Sequence, residues 1–301
     1  MEACMVQGRP VPDALIGELP DSAALLDQPA ALRKRLAADG FLYLKGVLDK
    51  ALVAAARTEV FQRLVAVGEV SEPASEAIAT GTSRRDELIE DRGLFWKSVS
   101  EGPMLRSLSH GAAMNRIMQL VVGGPVRPQD YMFLRAGARG RATGLHFDYP
   151  FFTRAHDQVY TAWLPIGDAP VTDGPLVVVE GSHNFRDLID PMIGFDVALD
   201  KTRKATLDQD AVRFAQQRGA RLLTRDFEAG DVAIFGMYTL HGSLENHSPV
   251  NRVRLSCDVR WQPLSLPLDT RYFGANPGGT TGAGYGELVG AKPLTQEWHV
   301  R

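Results

Sequence analysis

His146 and Asp148 stand two residues apart in the run TGLHFDYPFF, and His241 opens the run HGSLENHS far downstream. The first run reads as a strand, so alternation turns both side chains to one face and sends Leu145 and Phe147 to the other. An imidazole and a carboxylate on one face suit a divalent metal of intermediate softness. A second imidazole from a distant strand completes a facial set of two histidines and one carboxylate with open coordination positions, the ligand pattern of non-haem Fe(II) sites. A His-x-Asp pair by itself is common by chance. What sets this one apart is the segment around His241.

That segment reads GDVAIFGMYTLHGSLENHSPVNRVRLSCDVRW, with Arg252 eleven residues after His241. Arg252, Arg254, Ser256, Asp258 and Arg260 alternate with Val253, Leu255, Cys257, Val259 and Trp261, so one face of a strand is polar and the other apolar. Arginine is seldom buried without a partner. A guanidinium-bearing face beside a metal therefore fits a dicarboxylate, which the planar fork grips through paired hydrogen bonds.

The elements that must carry these groups are legible in outline. Residues 22–68 read as helix, strand and helix, with Pro29 at a first helical position and Gly40 as a C-terminal cap. FLYLK, Phe41 to Lys45, is a short strand. Asp49 caps a helix whose stripe of Leu52, Ala56, Val60, Leu64 and Val67 stops at Gly68. The polar stretch 69–93 reads as a loop or lid, and a further helix through Met114, Ile117, Met118 and Val121 ends at Gly123-Gly124. From about residue 128 come the short runs YMFLR, TGLHFDY, VYTAWLPI, GPLVVVE, DVAIF and RVRLSCDVRW. Their spacing predicts a sandwich or barrel rather than a doubly wound sheet. The stretch 185–225, helical in pattern from Asp208 to Arg218, reads as an insertion, and the Gly-rich tail 270–301 as irregular. The 301 residues read as one domain, with a helical part over 22–125 and a β core over 128–265. Loop, insertion and tail are its expected mobile parts.

Composition narrows the partners. The chain is 45% apolar with a net charge of −3 and a pI near 6.2, so no basic surface awaits nucleic acid. Its apolar runs are too short to span a bilayer, and the N-terminus lacks the pattern of a signal peptide. Cys4 and Cys257 form neither a disulfide framework nor a metal-ligand spacing. A cytoplasmic setting and a small-molecule substrate follow as expectations; the oligomeric state is not legible. GARGRATG precedes a strand rather than a helix and fails as a phosphate loop. His183 reads as a turn residue, Asn246 as a loop-ordering side chain beside His247, and His110, His156 and His299 as surface residues. Cys257 reads as a small buried hydrophobe.

Four segments, DGFLYLKGVLD (39–49), LHFD (145–148), WLPIGDAPVTDGPLVVVEGSH (163–183) and FEAGDVAIFGMYTLHGSLENHS (227–248) followed by Arg252, resemble the phytanoyl-CoA dioxygenase family of Fe(II)/2-oxoglutarate oxygenases. The resemblance implies a mainly β fold with flanking helices around a double-stranded β-helix, the cupin-like jelly roll. It implies Fe(II), 2-oxoglutarate and O₂ as cofactors, with succinate and CO₂ formed as a substrate is oxidised, most simply by hydroxylation. His146, Asp148 and His241 then bind iron, and Arg252 takes the distal carboxylate of 2-oxoglutarate; Arg254 is its rival, and spacing favours Arg252. Thr161, Tyr131 and Arg135 become further candidates for holding the co-substrate. Phe151, Phe152, Arg154, Trp163 and Tyr238 are candidates for touching the substrate. The family often has Gln where Phe147 stands, which reads as a packing change. Halogenating relatives replace the carboxylate ligand with a small residue, so Asp148 points away from halogenation. Two other readings keep the triad: a redox-neutral enzyme or sensor without the arginine anchor, and a Zn²⁺ hydrolase.

Overall fold

Alternation sorts the strands of the larger sheet into two apolar faces. In the computed structural model, which describes residues 3–207 and 210–296, this sheet is antiparallel and has six strands. Their order is Phe41–Leu44, Val232–Gly236, Tyr160–Pro165, Arg254–Pro263 and Val126–Pro128, with Phe133–Gly137 also paired to Arg254–Pro263. A second sheet orders His241–Ser243, Leu176–Val179, Leu222–Thr224 and Ile16–Glu18. Phe41, Tyr43, Trp163, Ala233 and Phe235 of the first sheet meet Leu176, Val178 and Leu223 of the second in one buried cluster. The intervening Leu42, Leu44, Ala162, Leu164, Val232 and Ile234 turn outward and join Val53, Ala56, Val60, Phe61 and Leu64 of the helix Lys50–Ala66. Two sheets enclosing an interior, with helices stacked outside one of them, form the double-stranded β-helix.

The helices begin and end where their chemistry directs. Asp49 accepts from Ala51 N at 2.7 Å and starts Lys50–Ala66. Pro29 opens Pro29–Asp39, and Gly40 closes it at φ 79° with its N–H on Leu36 O. No bulkier residue fits there, because a Cβ on Gly40 would lie 2.4 Å from Nδ1 of His183. Two of the sequence segments that carry the family resemblance therefore touch at this point. Pro103–His110 and Ala112–Val122 complete the helical layer, the latter capped by Gly123 at φ 86°.

Several expectations need correction. TGLHFDY is not a strand: His146 makes only isolated bridges, to His241 and Thr206, and Asp148 has helical dihedrals at the head of the short helix Tyr149–Phe152. Pro150, with its fixed φ and no N–H, suits that helix start and cannot extend a ladder. The long polar strand begins at Arg254, not Arg252. Asn251 takes φ 57°, Val253 N bonds Ala77 O, and Arg252 bridges Ile78, so residues 251–253 pair with the 69–93 segment instead of the barrel. The insertion gives back a strand, since Leu222–Thr224 pairs antiparallel with Leu176–Val179 and parallel with Ile16–Glu18. Finally, 69–93 and the tail are fastened to each other. Arg85 and Glu69, both with fully buried side chains, form an ion pair at 2.7 Å, while Arg85 Nη1 donates to Gly290 O and Lys292 O. His299 lies outside the described residues. His110 and His156 are half-buried rather than on the surface.

Candidate metal centre

His146, Asp148 and His241 converge although no single strand carries the first two. The ligand loop crosses the start of His241–Ser243, and His146 and His241 exchange backbone hydrogen bonds at 2.9 and 3.1 Å. Their side chains bring three ligand atoms within 4.8 Å of one another, all buried. The close crossing needs Gly242, whose Cβ would lie 2.5 Å from Thr143 O. Nδ1 of His146 sits 2.9 Å from Gly144 O, and Nδ1 of His241 sits 3.0 Å from Thr239 O. A carbonyl only accepts, so each Nδ1 carries the proton and each Nε2 keeps its lone pair for a metal. Both Nε2 atoms face Oδ1 of Asp148, at 3.8 and 4.0 Å. Burial, reinforced by His241, pushes His146 down to about 3, and burial also lowers His241. Two neutral imidazoles and one carboxylate are the donor set a divalent iron takes.

Asp148 is held by its other oxygen. Oδ2 accepts from Thr161 Oγ1 at 2.5 Å and from Arg260 Nη2 at 2.9 Å. Burial disfavours the charged form, but Arg260 foremost, then His241 and His146, with Thr161 least, outweigh it and keep the carboxyl well below the ordinary range. Arg260 is itself buried, its guanidinium 4.6 Å from the ring centre of Phe133 and 4.1 Å from that of Phe152. Arg260 lies on the polar face that alternation predicts, but no local motif in the sequence assigns it to Asp148. Thr161, expected beside the co-substrate, bonds the metal ligand.

The cavity at the triad is lined by Arg135, Thr143, Trp163, Leu176, Ser243, Arg254 and Asp258 besides the two histidines. Arg254 is 3% exposed and donates to Ser256 Oγ at 2.5 Å; no carboxylate lies within ion-pair distance of it among the described residues. Burial, then Arg135, lowers it to about 10. Arg252 lies elsewhere. Its side chain is 39% exposed, pairs with Asp173 at 3.2 Å and lines an outer cleft with Arg57, Ser75 and Val250. The expectation that Arg252 faces the metal is corrected: peeled away to bridge Ile78, it leaves Arg254 as the guanidinium in the cavity.

Arg135 is in the cavity, paired with Asp258 at 2.9 Å. Tyr131 is not: its hydroxyl bonds Gly284 O and Glu287 of the tail. Trp163 lines the cavity and packs on Phe227. Phe151 lies 6.5 Å from the His146 ring, its carbonyl held by Arg271 and Tyr272. Phe152 is core, between Arg260 and Tyr272. Arg154 pairs with Asp196 at 2.7 Å, and Tyr238 stacks on Tyr149 with its hydroxyl on Asp157. Neither lines the metal cavity. Asn246 orders its loop through Gly137 O and Arg252 O, and Cys257 is buried.

A jelly roll whose interior holds two neutral histidines, one carboxylate and a nearby buried arginine defines the class of 2-oxoglutarate-dependent non-haem iron oxygenases. The chain belongs to the phytanoyl-CoA dioxygenase (PhyH) family, whose model matches residues 36–253. A 1-deoxypentalenic acid 11-beta-hydroxylase of Streptomyces arenae is 27% identical over 269 residues, covering 81% of this chain and 85% of its own length. The enzyme of that name from Streptomyces exfoliatus is 28% identical over the same shares. Among solved structures, EctD of S. alaskensis aligns with a TM-score of 0.54 at 16% identity, covering 99% of this chain and 95% of its own. The non-haem α-ketoglutarate-dependent epimerase SnoN of nogalamycin biosynthesis aligns with a TM-score of 0.52 at 22% identity, covering 83% and 93%. These two share the fold. The protein is an Fe(II)- and 2-oxoglutarate-dependent dioxygenase, with iron, 2-oxoglutarate and O₂ as its cofactors. No helix among the described residues is long and apolar enough to cross a membrane.

Proposed function

We propose that this dioxygenase hydroxylates a small, largely apolar metabolite bearing a carboxylic acid, forming succinate and CO₂ from 2-oxoglutarate. The observation that carries the co-substrate half of this reading is Arg254, a buried cation in the metal cavity with no carboxylate within ion-pair distance among the described residues. A dicarboxylate satisfies it, and a buried guanidinium left unsatisfied is costly. His146, Asp148 and His241 hold the metal, and Arg254 takes the distal carboxylate in place of Arg252. Arg135 stays on Asp258 and shapes the cavity wall. Iron supplies the oxidising chemistry when bound; the protein supplies binding, orientation and exclusion of water. The whole chain acts as one oxygenase domain in this reading.

The substrate half rests on the relatives, whose names give a carboxylic acid substrate and a hydroxylated product, and on Phe151, an apolar ring beside His146. Asp148 keeps the full carboxylate ligand, which disfavours halogenation. The test begins with anaerobic addition of Fe(II) and 2-oxoglutarate to apo-protein, which develops a visible charge-transfer band. 1-Deoxypentalenic acid and other apolar carboxylic acids are then screened for O₂-dependent succinate release, with Asp148→Ala as the blank. Absence of the band, or succinate no higher than the blank with every acid, overturns the reading.

A further inference from the structure

Asp148 has two oxygens with different surroundings. Oδ1 faces the two Nε2 atoms, at 3.8 and 4.0 Å. Oδ2 is taken by two donors from neighbouring strands of the larger sheet, Thr161 at 2.5 Å and Arg260 at 2.9 Å, on residues that are themselves register partners. Arg260 has little freedom to leave. It is 1% exposed, and Phe133 and Phe152 lie within 4.6 Å of its guanidinium carbon. Its nearest other carboxylate, Asp258, is 3.9 Å away and is already bonded by Arg135. Nε and Nη1 of Arg260 have no hydrogen-bond partner among the described residues. A buried arginine with most of its donors unused, yet one of them fixed on a ligand carboxylate, is placed for that carboxylate rather than for general packing.

We propose that Arg260, with Thr161, is a positioning residue that keeps Asp148 a one-oxygen ligand by occupying Oδ2. A carboxylate held in this way presents Oδ1 alone to the metal and leaves the remaining coordination positions open. Without the clamp Oδ2 is free to turn toward the metal, and the carboxylate gains a two-oxygen mode that closes one of those positions. The clamp also fixes the orientation of a ligand that sits on a short helix start instead of a sheet strand, where no ladder restrains it. This inference rests on the oxygenase reading above, because it assigns a role toward the iron.

The experiment compares Arg260→Met, Arg260→Lys and Thr161→Val with the wild-type chain. It reads the melting temperature of the apo-proteins, Fe(II) affinity under anaerobic conditions, and the position of the Fe(II)·2-oxoglutarate charge-transfer band. Residues behind a metal ligand typically change affinity by about 10- to 100-fold. Arg260→Met is expected to weaken Fe(II) binding within that range and to move the band. Arg260→Lys keeps the charge and is expected to recover most of the affinity. Thr161→Val removes one of two donors and is expected to act in the same direction with a smaller effect, which keeps the test open if Arg260→Met fails to fold. The proposal is overturned if the variants that fold bind Fe(II) within about twofold of wild type with an unmoved band, against the larger change expected of a ligand's support. It is equally overturned if Lys and Met lose the same affinity in step with their melting temperatures, since Arg260 would then serve packing alone. A wild-type chain that gives no band refutes the oxygenase reading itself, a different outcome from unchanged variants of an active chain.

Discussion

Arg252 and Arg254 stand two residues apart, yet their guanidiniums occupy different cavities. Arg254 enters the metal cavity, and Arg252 lies over Asp173 in an outer cleft. The two have the same residue type and the same strand parity, so only their surroundings separate them.

The separation has a kinetic consequence. Arg254→Met should raise the KM for 2-oxoglutarate about 10- to 100-fold, the loss expected for a hydrogen bond to a charged partner. Arg252→Met should leave that KM nearly unchanged. It removes the partner of the buried Asp173 carboxylate, so its effect is on stability, about 1–3 kcal/mol. Succinate assays against 2-oxoglutarate concentration, paired with denaturant melts, decide the matter; a reversed pattern would restore Arg252 as the anchor.

Gly242 should be as sensitive as a metal ligand. Its absent Cβ makes room for Thr143 O and Gly144 O, both backbone atoms that cannot swing aside. Gly144 O also fixes the ring of His146. Gly242→Ala should therefore push the ligand loop away and weaken metal binding by about 10-fold or more. Titration of apo-protein with Fe(II) measures this. An affinity equal to wild type would mean the crossing has slack.

The ion pair between Glu69 and Arg85 is wholly buried and also holds the tail through Gly290 O and Lys292 O. Breaking a buried pair by removing one partner costs about 3–5 kcal/mol, because the other charge is left uncompensated. Arg85→Met should lose that much stability and expose the tail to protease. Adding Glu69→Gln should restore part of the loss. If the single variant unfolds at the same denaturant concentration as wild type, the pair is not a fastening.

His110 gives stability an acid limit. Burial, then the charge of Arg106 at 2.7 Å, pushes it down to about 4 from an ordinary 6.5. The unfolded chain binds this proton more readily than the folded one, so the unfolded state gains as acid is added. The stability at stake is therefore complete above pH 6.5 and is lost as pH falls toward about 4. The stability difference between wild type and His110→Gln should shrink across that window. Denaturant melts at several pH values measure it; a difference that stays constant or widens in acid contradicts the assignment.

The sequence by itself determined the ligand types, the polar and apolar faces of the long strand, the helix caps at Gly40 and Asp49, and the family. These are local properties: a period of two, a cap residue and a short motif are each written within a few neighbouring positions. The tertiary structure decided the rest. His146 and Asp148 meet through a loop and a short helix start rather than through strand alternation, because His241 and Gly242 from another element set the crossing. Arg254 lines the cavity at the triad and Arg252 does not, because residues 77–79 pull 251–253 out of the barrel. Arg260 and Thr161 belong to Asp148 because their strands pair in a register that no local pattern states. Sequence spacing names which groups are available to a site. Long-range pairing selects which of them reach it.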